Sequence, residues 1–198
     1  MAGTEDAYTA EPFVPRRGGL PALREAAADC RGCPLHRAAT QTVFGAGKLL
    51  DRALTDAGID PADAYVTNAV KHFKFTRAEP GKRRIHKALT LRETTACGPW
   101  LAAELDRVAP ELVVVLGATA GKALLGSSFR VTQVRGTVLE EEIHGRPERL
   151  VPTVHPPPAL GFARAGRCPP QAVLRADDRE GAYRGPVSDL EIAARALG

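Results

Sequence analysis

The sequence predicts an α/β fold, a three-layer α/β/α sandwich with helices on both faces of a mainly parallel central sheet. Two observations predict it. Segments of strand and helix character alternate along the chain, as parallel strands joined by crossover helices require. Leu112-Val113-Val114-Val115-Leu116-Gly117 is a continuous apolar run, the mark of a strand covered on both faces. At 198 residues the chain is long enough for one such domain with its own core and short for two.

In chain order, residues 1–19 are rich in Pro, Gly and charged side chains and read as a flexible amino-terminal arm, leaving residues 20–198 as a single domain. Leu20 to Asp29 has a helical pattern and leads directly into Cys30-Arg31-Gly32-Cys33-Pro34. Lys48 to Ala57 places Leu49, Leu50, Ala53 and Leu54 on one side of a helix that Gly58 stops. After the Asp60-Pro61 turn, Ala64 to Val70 reads as a strand. The segment from Lys71 to Lys87 reads as a loop broken by Pro80-Gly81. Thr90-Leu91-Arg92-Glu93 is a capping box that opens a helix running to about Val108. The apolar strand of residues 112–117 follows, then a short helix over Thr119 to Leu125. Val134 to Ile143 and Arg149 to Val154 read as strands on either side of His144-Gly145-Arg146-Pro147, and a helix over Ser188 to Leu197 closes the chain.

Charge says more by its distribution than by its sum. The net charge is +4, and seven Lys or Arg residues (71, 74, 77, 82, 83, 84 and 87) against the single acid Glu79 lie between Lys71 and Lys87. Such a segment suits a polyanion, or is merely a solvated excursion. Phe73 and Phe75 interleave with its cations, an equipment suited to distorted or single-stranded DNA, where bases stack on aromatic rings. No stretch reaches the length of a membrane span. The amino terminus carries Glu5, Asp6 and Glu11 in place of a signal-peptide apolar run, so the expected compartment is the cytoplasm.

In a reducing compartment the close pair Cys30 and Cys33 is read as a ligand pair before a disulfide. A redox dithiol is the alternative, but such pairs usually follow a strand and open a helix. Two more soft ligands would complete a four-coordinate site, and Cys97, His72 and Cys168 are the candidates. Cys97 could equally be a small buried hydrophobe, and His72 a solvated loop residue. His86 lies among Lys82, Arg83, Arg84 and Lys87, cations that favour its neutral, nucleophilic form. His155 precedes Pro156-Pro157-Pro158 at a strand end, where prolines fix the turn. A core histidine with a satisfied hydrogen bond is the other reading there. Ligands of open α/β sheets bind beyond the carboxyl ends of strands, and Asn68 and His155 both fall at such ends.

These pieces together resemble a known family. Tyr65-Val66-Thr67-Asn68-Ala69-Val70-Lys71 is similar to the uracil-reading strand of the iron–sulfur uracil-DNA glycosylases. Ala96-Cys97-Gly98-Pro99-Trp100 resembles their later cluster cysteine, and Val151-Pro152-Thr153-Val154-His155-Pro156 their second catalytic motif. His72, where most of those enzymes have cysteine, and Lys82-Arg83-Arg84-Ile85-His86 resemble the UdgX-type uracil-DNA-binding proteins. The resemblance implies a 4Fe-4S cluster on Cys30, Cys33, His72 and Cys97, with zinc as the alternative for the same ligands. It implies that Asn68 hydrogen-bonds a flipped-out uracil and that His155 stabilises the departing base. His86 would attack the sugar, leaving DNA covalently joined to the protein, while Lys82, Arg83, Arg84 and Lys87 hold DNA. The implied partner is uracil-containing DNA, best as single strands, where flipping costs least. The implied setting is DNA repair by a cytoplasmic monomer.

The chain also departs from that family. Val43-Phe44-Gly45-Ala46-Gly47, which resembles the stretch before the family's first strand, runs directly into Lys48-Leu49-Leu50-Asp51, which resembles the helix beyond it. The Gly-Glu-x-Pro-Gly-like motif, its acidic residue and the uracil-stacking aromatic are missing. The gap is about thirty residues, so the lost strand's neighbours must re-pair or leave backbone groups unsatisfied. Pro157 also stands where the family usually has serine. A catalytically impaired iron–sulfur DNA-binding relic is therefore the alternative function.

Overall fold

A computed structural model of the chain describes residues 8–39, 42, 48–77, 84–155 and 176–198. The Val43–Gly47 junction, Lys82, Arg83, Pro157 and Cys168 lie outside them. The fold is mixed α/β, and the chain forms two compact units, residues 1–45 with 67–109, and residues 46–66 with 110–198.

The first unit is built on two helices, α1 (Leu20–Ala28) and α3 (Leu91–Val108). The capping box at the start of α3 forms as the sequence predicts. Thr90 Oγ1 accepts from the Glu93 N–H, and Glu93 accepts from the Thr90 N–H at 2.7 Å. Pro99 lies inside α3 and removes one donor from its ladder. Gly98 before it has no Cβ to clash with the proline ring, which lets that residue stay helical. In the same turn the Ala96 carbonyl accepts the Ala10 N–H at 2.8 Å. Leu23 and Ala27 of α1 pack with Cys97, Trp100 and Ala103 of α3, and with Cys30, Cys33 and Leu35, in one core.

Residues 8–19 are part of that unit, where the sequence suggests an arm. Ala10 is fully buried, and Glu11–Phe13 forms a 3-10 turn. The Arg107 guanidinium near the end of α3 donates to the carbonyls of Pro15 (2.8 Å) and Gly18 (2.7 Å). Composition misses this because the contacts are backbone contacts, open to any sequence.

Two further expectations change here. Residues 64–70 do not form a strand, for Thr67 makes only an isolated bridge, and its side chain and that of Lys71 tie the segment to α3 instead. The basic segment is not simply a loop. Strand β1 (Phe75–Arg77) pairs antiparallel with β2 (Arg84–His86), Phe75 opposite His86.

The second unit holds α2 (Lys48–Asp56), which ends at Gly58 (φ +83°) with the Ile59 N–H on the Leu54 carbonyl and the Gly58 N–H on that of Thr55. Strand β3 (Val113–Leu116) is followed by α4 (Gly117–Leu125) and the short α5 (Val131–Val134). Strands β4 (Leu139–Ile143) and β5 (Arg146–Thr153) form a hairpin, and α6 (Ala176–Leu197) packs on β5 and α2. The sheet order is β3-β5-β4, with β3/β5 parallel and β4/β5 antiparallel. The mainly parallel sheet expected from sequence is thus a small mixed one. The hairpin turn is His144-Gly145, both at positive φ (52° and 79°), the geometry two-residue connections favour.

The strand expected from Val134 begins only at Leu139. Gly136 (φ +67°) interrupts it, giving its N–H to the Pro152 carbonyl, and a Cβ there would stand 2.6 Å from Asp189 Oδ1. The terminal helix is longer than predicted because α6 runs through Gly181, Gly185 and Pro186. Packing overrides poor helix propensity there, with Pro186 and Leu190 fully buried. Nor is β3 buried on both faces. Only Val115 in it is fully covered.

Candidate functional site

The implied ligand set lies in the first unit. Cys30 and Cys33 flank the step from α1 into the 3-10 turn Pro34–Arg37, and Cys97 sits on the inner face of α3. All three are buried in one core cluster, and His72 is buried too. Two N–H groups point at the sulfurs. Trp100 Nε1 donates to Cys30 Sγ at 3.3 Å, and the Lys71 N–H donates to Cys97 Sγ at 3.4 Å.

Burial pushes the Cys97 thiol up to about 11, against a smaller lowering by the Lys71 N–H, and Cys33 and Cys30 raise it further. Burial likewise raises Cys33. Binding a metal on such thiols would displace their protons. Burial first, and the neighbouring His36 second, lower His72, so its imidazole is neutral and able to ligate.

Three soft thiols and a neutral imidazole match the donor chemistry of a four-coordinate thiolate site. Among the described residues no three His, Cys, Asp or Glu side chains converge on a point where one ion could sit. In a 4Fe-4S cluster each ligand takes its own iron, so the donors surround a volume and need not meet at one atom.

Asn68 is half-buried three residues before Lys71, on a backbone without regular structure. Lys71 Nζ donates to the Asn68 carbonyl (2.8 Å), to Thr67 Oγ1 (2.8 Å) and to Glu104 Oε2 (2.6 Å). Thr67 Oγ1 also donates to the Glu104 carboxylate at 3.0 Å. The side-chain amide of Asn68 makes no hydrogen bond among the described residues. A half-buried amide on a fastened backbone can accept a planar polar partner.

Lys71 corrects the charge reading. It counts among the seven cations of the basic segment, yet it is 0% exposed and paired with Glu104. It is thus no phosphate contact. Burial lowers its pKa, and the Glu104 carboxylate opposes that shift. Glu104 itself escapes a motif search, but its signal was present. It is an acid at the spacing of Cys97, Trp100 and Leu101, on the apolar stripe of α3.

Phe73 is 48% exposed, and Lys74 binds Glu93 at 2.9 Å. Lys87 is exposed and its N–H donates to the Lys74 carbonyl. Arg84 and His86 lie on β2, and their backbone alone is described.

His155 belongs to the second unit. It stands exposed two residues past β5. Because β3 and β5 are parallel, their ends lie side by side, and a Cβ on Gly117 (φ +78°) would stand 3.6 Å from that of His155. Thr153 Oγ1 donates to Asp189 Oδ2 at 2.6 Å, and Arg135 Nη2 binds the same oxygen at 2.9 Å, which fixes the strand end carrying the histidine.

A family model described as the uracil DNA glycosylase superfamily matches residues 6–176. The chain belongs to the uracil DNA glycosylase superfamily. Among curated members, a type-4 uracil-DNA glycosylase of Thermotoga maritima is 29% identical over 157 aligned positions, which take in 64% of this chain and 76% of that protein. One from Archaeoglobus fulgidus is 27% identical over 122 positions (60% of this chain), and this chain spans 57% of its length. One from Pyrobaculum aerophilum is 25% identical over 174 positions, 71% of this chain and 84% of that protein. No described helix is long and apolar enough to cross a membrane.

Proposed function

We propose that this protein recognises uracil in DNA, preferably in single strands, and excises it in DNA repair with covalent capture of the sugar by His86. The observation that carries the recognition half is Asn68. Its side-chain amide is unengaged among the described residues, and its carbonyl is held by Lys71 Nζ at 2.8 Å. In the chemical half, the bond between uracil and the sugar breaks with its electron pair leaving on the base. His155 stabilises that anion. A neutral His86 ring nitrogen bonds to the anomeric carbon, and the proton His86 then loses balances the anion. Lys82, Arg83, Arg84 and Lys87 supply cations for the phosphates.

Cys30, Cys33, His72 and Cys97 would hold the 4Fe-4S cluster. When bound, it would supply a rigid cross-link between the Cys30–Cys33 step, α3 and the segment carrying Asn68. The reading extends to a cytoplasmic monomer, and to a sandwich from which the family's first strand has been lost. Support for that loss comes from the alignment to the Thermotoga relative. It runs over 157 positions, but 64% of 198 residues is about 127, so some 30 positions have no counterpart here.

One observation favours a second reading, binding without turnover. No Gly-Glu-x-Pro-Gly-like motif, and so no acidic residue of such a motif, stands between Val43 and Asp51. Among the described residues of the first unit, the buried carboxylates Glu93 and Glu104 are both engaged in ion pairs. A denaturing gel separates the readings. The protein is mixed with a single-stranded oligonucleotide carrying one uracil and heated in detergent, beside a thymine control and a His86→Ala variant. A heat-stable shifted band seen only with uracil and lost in the variant is the expected result. No band from a folded protein that still binds uracil-DNA under native conditions leaves the binding reading and overturns the capture.

A further inference from the structure

The geometry points to Glu104 as a positioning residue for base recognition, acting on Asn68 through Lys71. This rests on the role proposed above for Asn68 and deepens it. Lys71 is 0% and Glu104 1% exposed in their side chains, so the pair is sealed from water. An ammonium has three donors, and Lys71 places them on three acceptors, Glu104 Oε2, Thr67 Oγ1 and the Asn68 carbonyl. Thr67 closes the ring by donating to Glu104.

An apolar pair of similar size would fill the same core, often with no loss of stability. What it would not do is hold a carbonyl. Of the three acceptors, two belong to Thr67 and Asn68, and Asn68 follows Thr67 directly. The charge is thus spent on fixing the backbone at the base-reading residue. The Lys71 N–H binds Cys97 Sγ, so the same residue joins the reading segment to the ligand core at its other end. Glu104 touches no DNA in this arrangement. It holds the Lys71 side chain in its direction, and Lys71 keeps Asn68 in place.

The test is a comparison of binding to single-stranded oligonucleotides with one uracil or one thymine, made on the full-length protein. The paired substitution Lys71→Met with Glu104→Leu removes the tether and restores an apolar core. Its uracil-over-thymine preference should fall by between about tenfold and a hundredfold while the melting temperature holds. In an Asn68→Ala background the same pair should cause no further fall, since the two act through one residue. Thr67→Val removes one arm of the ring with nearly the same shape. It should lower the preference by a smaller factor, and it keeps the test readable if the paired variant does not fold. A folded paired variant, or Thr67→Val, with the wild-type preference overturns the proposal, as does a further loss beside Asn68→Ala. Wild-type protein that binds both oligonucleotides equally overturns the functional reading itself, and this proposal with it.

Discussion

Gly32 lies between the two cysteines of the Cys30–Cys33 step, and residues 8–10 pass directly over it. A Cβ built on Gly32 would collide with the Thr9 carbonyl oxygen and stand 2.8 Å from Ala10 Cα. These are backbone atoms, so no side chain can rotate away. Gly32→Ala must therefore lift residues 8–10 or displace the cysteine loop. Overpacking of this kind costs about 1–3 kcal/mol. Lifting the segment also breaks the bond from the Ala10 N–H to the Ala96 carbonyl, about 1 kcal/mol more. A loss of about 2–4 kcal/mol corresponds to a fall in melting temperature of about 4–16 °C at this chain length. The assay is built in, because Trp100 is the chain's single tryptophan and is fully buried in the affected core. Its fluorescence in a urea titration reports that unit. Gly181→Ala is the control, an exposed position inside α6 where a Cβ meets nothing within 4 Å. It should not lower the midpoint, and it should stabilise its own unit by about 0.5–1 kcal/mol, read by circular dichroism. An unchanged urea midpoint for Gly32→Ala would mean that residues 8–10 do not seat on the cysteine loop, and the account of the amino-terminal segment fails.

Two pH effects follow from single groups. Burial raises the Glu93 carboxyl, but the hydrogen bonds from Thr90 and Lys74 outweigh it, and its pKa lies below the ordinary 4.5. Its stabilising contribution is present above that value and is lost as pH falls through the folded pKa. Acid titration of Glu93→Gln should show a shallower loss, since glutamine keeps the capping box. An acid limb identical to wild type would contradict this. Tyr183 is pushed up to about 12, by burial first and then by Asp56, which accepts its hydroxyl at 2.6 Å. The raised value means that stability is full below about 10 and falls as pH rises from there towards 12. Tyr183→Phe should lose about 1 kcal/mol at neutral pH and flatten that alkaline limb, as measured by circular dichroism melts.

What was legible in the sequence was whatever local chemistry decides. Thr90 and Glu93 announce the start of α3 because both partners of the box lie within four residues. Gly58 announces the end of α2 by the same logic. The extent of α6 was hidden because Gly181, Gly185 and Pro186 argue against a helix, and only burial of Tyr183, Pro186 and Leu190 argues for it. Residues 64–70 read as a strand because β propensity is a statement about side chains. A strand also needs a neighbour to take its backbone bonds, and the stretch that should supply one in this superfamily is the one proposed lost.

Among the site residues, the Cys30–Cys33 pair stands out by its spacing, whereas Glu104 reads as one acid in a long helix. Lys71 is the sharper case. Counting charges assigned it to a DNA-facing surface, and the fold places it in the core. The two assignments predict opposite behaviour in salt. A phosphate contact contributes to the slope of binding against ionic strength, and a sealed ion pair does not. Replacing Lys71 together with Glu104 should therefore leave the salt slope unchanged while discrimination between uracil and thymine collapses. Replacing exposed Lys87 should lower the slope by about 0.7 for single strands and spare discrimination. The pair of slopes distinguishes a residue that holds DNA from one that holds the reader of DNA, a distinction that net charge cannot carry.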